Sequence, residues 1–279
     1  MLPIILGLAS ALSWGTGDFA GGLASRKVGP YRAVMFAEAI GLGAILIVLP
    51  FFPEAFPDMP SILWSIGAGI VGTVGLLAFF EAMRRGRLSV VAPLSALLGA
   101  VVPVVVGSFV DGLPQPSVFS GVALALLSIF LISREEVPED EKKAEPYLHI
   151  PLLSGVAFGF YFVLMHEASR DFFWGPLVVA RSTGMLSIVI FLLLKRGSFR
   201  VPSGSWGLLT INGIFDVGGN AFYILAGQAG RMDVSAVLGS LYPGMTVFLA
   251  WLILKEKLQI TQWIGILLAL IAIILMTTA

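Results

Sequence analysis

The sequence contains no cysteine, and its only histidines are His149 and His166. Disulfides, thiolate metal sites and histidine-rich metal centres are therefore excluded. No G-x-x-x-x-G-K-[ST] run is present, so ATP hydrolysis is not expected, and no cofactor is. Charge is scarce: 12% of the 279 residues are Asp, Glu, Lys or Arg, and 17 bases cancel 17 acids. A net charge of zero leaves no electrostatic footprint for nucleic acid. So few charges also cannot clothe the core of a chain this long in a polar surface.

What the sequence does have is apolar length. Hydrophobic residues make up 57% of it, in runs separated by turn and charge clusters such as "FFPEAFPDMP" and "DGLPQP". A bilayer crossing needs about 20 such residues. Cutting at the clusters gives ten runs, at roughly 2–24, 30–52, 61–83, 88–109, 117–133, 148–168, 175–194, 205–227, 233–254 and 261–278. The first run has no Lys or Arg before it, so it reads as a retained span and not as a signal peptide. The fold class expected is an all-α polytopic membrane protein.

The stretch "REEVPEDEKKAEPY", Arg134 to Tyr147, divides the chain. The halves resemble each other. "GRLSVVAPLSALLGAVVP" from Gly86 lies over "GRMDVSAVLGSLYPGMTV" from Gly230 at an offset of 144, and Gly121 then falls on Gly265. Residues 1–134 and 148–279 are read as two five-span repeats joined by a polar linker at 135–147. Five is odd, so the second half enters the membrane inverted. Inverted repeats are characteristic of secondary transporters, whose two halves can exchange conformations around a central cavity. Of the 17 Lys and Arg, Arg181 lies within a run. Arg170 and Arg231 fall on one side, and the remaining fourteen on the other, among them Arg26, Lys27, Arg84, Arg85 and Lys195. The rich side is expected to be cytoplasmic in a cell membrane, which puts both termini outside.

Polar groups inside the runs are the candidate site. In "NGIFDVGGNAFY", Asn212, Asp216, Asn220 and Tyr223 recur at spacings of four, four and three, so they share one helical stripe. Such a stripe faces the bundle interior, as helix glue through interhelical hydrogen bonds or as a substrate or proton site. Asp18 shares a face with Ser10, Trp14, Gly17 and Gly21 and lies toward one end of its run. Glu38 and Arg181 each need a partner in lipid. They either pair with each other, or Arg181 pairs with Asp216. A paired Asp216 is a fixed anion; an unpaired, desolvated one can carry a proton. Pro93 and Pro103 in the fourth run and Pro243 in the ninth are expected helix kinks, with Ser240 and Tyr242 beside the last. Glu81 with Arg84 and Arg85, and His166-Glu167 with Arg170, read as interfacial ion clusters.

The paired halves, "SWGTGDF" in the first run and "LILKEKLQITQWIGILLALIAIIL" at the end resemble the drug/metabolite transporter superfamily, in its ten-span EamA branch. Glu256 matches the family's Glu after the ninth span, where the first half has Asp111-Gly112. The resemblance implies ten helices around a central cavity and transport of small metabolites, amino acids or drugs, often outward. It also implies cytoplasmic termini in many members, against which the Lys and Arg count argues here.

Two motifs compete with this reading. "GAGIVG", Gly67 to Gly72, matches a dinucleotide fingerprint but lies inside an apolar run, where it serves close helix packing. "GTGD", Gly15 to Asp18, matches intramembrane aspartyl proteases, with Asp216 as a second carboxylate. In those proteases that motif comes second in chain order and a Pro-Ala-Leu motif follows; here it comes first, and "PAL" is absent. The expectation is alternating access of a small neutral, zwitterionic or cationic solute, coupled to protons or to the solute's own gradient. Asp216 would carry substrate charge or a coupling proton. Asn212, Asn220 and Tyr223 would bond the solute, and Trp14 and Asp18 would face them.

Overall fold

Apolar runs about 20 residues long satisfy their backbone in lipid only as helices, and these runs form helices. The computed structural model describes residues 1–85, 88–110, 112–113, 115–132, 149–255 and 259–277. Its helices are α1 (Leu2–Val28), α2 (Pro30–Val48), α3 (Met59–Arg85), α4 (Leu88–Val110), α5 (Pro116–Ile132), α6 (His149–Ala168), α7 (Trp174–Leu194), α8 (Trp206–Ala229), α9 (Met232–Gly239), α10 (Tyr242–Leu254) and α11 (Ile260–Thr277). Among the described residues there is no strand. The polar linker, Asp111 and Glu256 lie outside the described residues.

Helix boundaries follow local chemistry. Gly29, at φ +82°, turns the chain between α1 and α2, and Pro30 opens α2 where its missing N–H is not needed. The Asp58 carboxylate caps α3 by accepting from the Ser61 N–H at 2.9 Å. α7 has no cap of its own. The Glu54 carboxylate, from the connection between α2 and α3, supplies one by accepting from the N–H groups of Phe173, Trp174 and Gly175 at 2.6, 2.8 and 3.1 Å. The ninth run is two helices, broken at Ser240 and Leu241 just before Pro243. Proline cannot donate to the preceding turn, so α10 starts afresh there. α4 runs unbroken with Pro93 and Pro103 inside it. The sequence placed Asp18 toward the end of a run closing at residue 24. α1 instead continues to Val28, because nothing breaks it before Gly29-Pro30, and Asp18 lies well inside the helix.

The surface is inverted relative to a soluble protein. Large apolar side chains such as Ile47, Ile70, Phe109 and Leu194 are exposed, while Asp18, Glu38, Arg181, Asn212, Asp216 and Asn220 are buried. Among the described residues, six helical stretches are long and apolar enough to cross a membrane: Pro30–Phe51, Met59–Arg85, His149–Ala168, Trp174–Leu194, Ser203–Ala229 and Met232–Leu254. Two shorter apolar helices, Ser95–Val110 and Pro116–Leu131, accompany them. α1 is as long as α3 and, like it, carries Ser, Gly and Thr, but it also holds Asp18 well inside it. The protein is a multi-pass membrane protein.

Packing centres on a few pairs. α1 lies along α8, α3 along α6, and α5 along α11; α4 also packs on α6, and α9 and α10 on α1. α2 contacts both α7 and α8, and α3 contacts α7. These contacts bring the middles of α1, α2, α3, α6, α7, α8 and the start of α10 around one point.

Candidate functional site: a charged cavity at the centre of the bundle

α2 and α8 can approach closely because glycines meet at their crossing. A Cβ on Gly41 would sit 3.2 Å from the Gly213 carbonyl oxygen, and one on Gly213 would sit 2.9 Å from that of Ala37. α7 is drawn in at Gly184, where a Cβ would lie 2.6 Å from Thr73 Oγ1 and 3.3 Å from the Glu38 carboxyl. This close packing sets three charged side chains in contact. Arg181 Nη1 donates to Glu38 Oε2 at 3.0 Å, and its Nη2 donates to Asp216 Oδ2. The sequence offered these partners as alternatives; the guanidinium takes both. All three residues are buried, where removing any one would strand its partners in low dielectric.

Asn220 continues the network. Its Nδ2 donates to the Asp216 carbonyl oxygen at 2.9 Å, and its Oδ1 accepts from the Tyr161 hydroxyl at 2.6 Å. The remaining stripe residues go elsewhere. The Tyr223 hydroxyl donates to the Phe162 carbonyl at 2.8 Å, and its ring stacks in a trio with Trp14 and Phe162, centroids 5.0–5.8 Å apart. Asn212 packs against Gly21 of α1, and its Nδ2 has no hydrogen-bond partner.

Between these groups lies a cavity of about 60 Å³, room for a few waters. Its charged and polar wall is Asp18, Glu38, Arg181, Asp216 and Asn220. Trp14, Phe158, Tyr161, Phe162 and Tyr242 form an aromatic wall, and Ala68, Gly69, Gly72, Thr73, Leu76 and Ala180 complete it. Of the residues singled out from sequence, the structure thus brings Trp14, Asp18, Glu38, Arg181, Asp216, Asn220 and Tyr242 to one space. It leaves Asn212, Tyr223 and Ser240 outside the wall. The Ser240 hydroxyl, at the break between α9 and α10, is buried without a partner.

Asp18 differs from the other two carboxylates. It is 7% exposed, lines the cavity, and has no hydrogen-bond or ion-pair partner among the described residues. The Thr73 hydroxyl, also on the wall, is likewise unpartnered. Among the described residues no group of three or more His, Cys, Asp or Glu side chains is placed to hold a metal ion.

Phe158, Tyr161, Phe162 and Thr73 were not singled out from sequence. The signal for three of them was present: adding the offset of 144 to Trp14, Gly17 and Asp18 gives Phe158, Tyr161 and Phe162.

An apolar-surfaced bundle of long helices, packed around a charged cavity at its centre, defines the class as a multi-pass membrane protein. The chain matches the EamA-like transporter family over residues 1–134 and 147–278, and it belongs to that family. An uncharacterised protein of Methanocaldococcus jannaschii is 30% identical over 132 residues, which are 47% of this chain and 95% of the relative. That relative is therefore about half this chain's length. A crystal structure shares the fold with a TM-score of 0.77 at 17% identity, over 99% of this chain and 98% of its own. The protease reading of Asp18 and Asp216 gains no support. The family is one of transporters, and Asp216 is held by Arg181.

Proposed function

We propose that the protein is a secondary transporter of a small solute, working by alternating access with ten spans in two inverted five-helix repeats, residues 1–134 and 148–279. Export across the cell membrane, with protons as the coupling ion and both termini outside, is the form of the proposal to be tested. The observation that carries it is the cavity: a charged space halfway along the helices, walled by elements from both halves.

The inverted-repeat reading is supported by equivalences at the offset of 144. Ser10 Oγ of α1 donates to the Gly219 carbonyl of α8 at 2.8 Å, and Ser154 Oγ of α6 donates to the Gly75 carbonyl of α3 at 3.0 Å. Both members of each pair differ by 144. A Cβ on Gly219 would strike the Trp14 ring, and one on Gly75 the Phe158 ring, again 144 apart. Four such pairs line the cavity together: Trp14 with Phe158, Asp18 with Phe162, Gly72 with Asp216, and Leu76 with Asn220. Two similar halves that meet at one cavity can open it first to one side and then to the other. The half-length relative agrees with a five-helix unit as the building block.

The test is solute profiling. Cells expressing wild type are compared with cells expressing Asp216→Asn at matched membrane levels, and small molecules inside and outside are quantified. Arg181 keeps Glu38 as a partner in this variant, and the matched membrane levels check that the bundle folds. A solute moved by wild type and not by the variant supports the reading and places Asp216 in the mechanism. Equal movement by both makes Asp216 structural, and movement by neither removes the transport reading.

A further inference from the structure

Away from the central cavity, one end of the bundle carries an open recess of about 560 Å³. It lies where α1 ends, α2 begins and α3 ends. Its volume falls within the roughly 300–1,000 Å³ typical of ligand pockets. Arg26, Lys27, Arg32, Arg84 and Arg85 ring it, and Glu81 is the single carboxylate on its wall among the described residues. Positive charge is therefore well in excess.

Glu81 answers only part of that charge. Arg84 donates through Nε and Nη2 to both of its oxygens, at 2.8 and 2.9 Å, and Arg85 Nε donates to the same carboxylate. Arg32 Nη1 donates to the Arg200 carbonyl at 2.7 Å, a neutral acceptor. Lys27 is exposed and has no hydrogen-bond or ion-pair partner among the described residues. Bases in the last turn of a helix complement its carbonyl end, and a cation-rich side is usual in a membrane protein. Neither rule gathers them around a recess. The connection between α6 and α7 shows that such a turn folds without them. At the offset of 144, Lys27, Arg32, Arg84 and Arg85 correspond to Asp171, Pro176, Gln228 and Ala229. There Gln228 ties the end of α8 to the connection, donating to the Ser169 and Phe172 carbonyls at 2.7 and 3.1 Å. The corresponding residues of the first connection, Arg84, Ser25 and Val28, instead line the open recess.

The surroundings select the kind of anion. Guanidinium and ammonium groups bind phosphate oxygens through charge-assisted hydrogen bonds. Tyr31, on the rim of the recess, is 42% exposed and stacks on Phe191 of α7 with centroids 5.0 Å apart. Tyrosine at a helix end marks the level of the lipid headgroups. Leu186, Ile190 and Leu194, four residues apart, carry an exposed apolar stripe along α7 beside Phe191. A free phosphate would use the cations and gain nothing from this stripe. A phospholipid uses both, with its phosphate in the recess and its acyl chains along the stripe.

We infer that the recess formed by the ends of α1 and α3 and the start of α2 is a binding site for the phosphate headgroup of an anionic phospholipid. Lys27 and Arg84 contact the phosphate, and Arg26, Arg32 and Arg85 supply the surrounding field. Glu81 is the internal competitor: it holds Arg84 until the phosphate takes its place. The bound lipid joins the ends of α1, α2 and α3 through one shared anion. The site lies apart from the central cavity, and the inference does not depend on the transport reading.

The experiment uses the purified full-length protein in nanodiscs of phosphatidylcholine and phosphatidylglycerol in equal parts. Native mass spectrometry counts the lipids that stay bound when the protein is released. Phosphatidylglycerol is expected to be retained in preference to phosphatidylcholine. The double variant Lys27→Gln, Arg84→Gln is expected to weaken that retention about tenfold or more. Lys27→Arg with Arg84→Lys keeps both charges and is expected to restore it. Glu81→Gln releases Arg84 and is expected to strengthen retention, a gain that misfolding cannot produce. The control is Lys195→Gln with Arg196→Gln, which removes two exposed charges at the end of α7 that are not on the wall of the recess. A second arm adds inorganic phosphate at millimolar concentration, which is expected to leave the bound phosphatidylglycerol in place. Three results overturn the inference. The recess double variant retains phosphatidylglycerol as wild type does; the control loses it equally, so that the effect is one of overall charge; or inorganic phosphate displaces it, which gives the recess to a free anion. Lipid retention needs no transport, so failure of the transport reading and failure of this site give different results.

Discussion

At the residue scale, Arg181 is the group on which the centre of the bundle depends. Arg181→Met leaves Glu38 and Asp216 buried against each other without a cation. Stability is expected to fall by about 3–5 kcal/mol, read as a lower melting temperature in detergent. The triple variant Arg181→Met, Glu38→Gln, Asp216→Asn removes all three charges and is expected to recover most of that loss; if it melts as low as the single variant, the charges are not the cause. Tyr161→Phe removes one hydrogen bond to Asn220 and is expected to cost only about 0.5–1.5 kcal/mol by the same measurement. Spacing alone made Asp216 and Asn220 legible as inward-facing. It could not separate them from Asn212 and Tyr223, which share their stripe. Periodicity gives the face of a helix; whether a residue on that face meets a cavity or a neighbouring helix depends on the depth of the crossing. Asn212 meets Gly21 and Tyr223 meets Phe162, and neither contact is written in local spacing.

At the element scale, the crossings of α1 on α8 and of α3 on α6 are made by glycines under aromatic rings. A Cβ on Gly219 would lie 2.4 Å from Trp14 Cδ1, and one on Gly75 would lie 2.8 Å from Phe158 Cδ1. Gly219→Val and Gly75→Val are each expected to lower stability by about 1–3 kcal/mol in thermal unfolding. Similar losses support equivalent crossings; a neutral result at one of them would show that its helices can part freely. The helices themselves were readable, because lipid forces apolar runs into helices and turn residues bound them. At Pro243 the sequence led to a kink within one span, and the structure has a break between α9 and α10. Pro93 and Pro103 show the limit of that rule, since α4 runs through both. In a packed bundle a proline's lost hydrogen bond does not by itself end a helix.

At the scale of the whole molecule, the offset of 144 ties sequence, packing and cavity wall together. Sequence comparison found it most clearly from Gly86 and Gly230 onward. It missed its extension to Ser10 with Ser154, because α1 and α6 share small residues and not a motif. Orientation is the next property to test. The chain has no cysteine, so single cysteines report cleanly. Ser198 and Asp171 are exposed near opposite ends of α7. Ser198→Cys is expected to react with an impermeant maleimide only in opened cells, and Asp171→Cys in intact ones. The reverse pattern would put the termini inside.

The Glu54 carboxylate has a mechanical meaning at this scale. It grips the N–H groups of Phe173, Trp174 and Gly175, the N-cap and first two residues of α7, from a different connection of the chain. Three bonds on one side chain share any pull between the segments, so α7 and the α2–α3 connection behave as a single lever. Any tilt of α7 that displaces Arg181 drags that connection along, and through it the start of α3. The lever thus links a displacement at the ion cluster to the two helices, α2 and α3, that wall the cavity beside it.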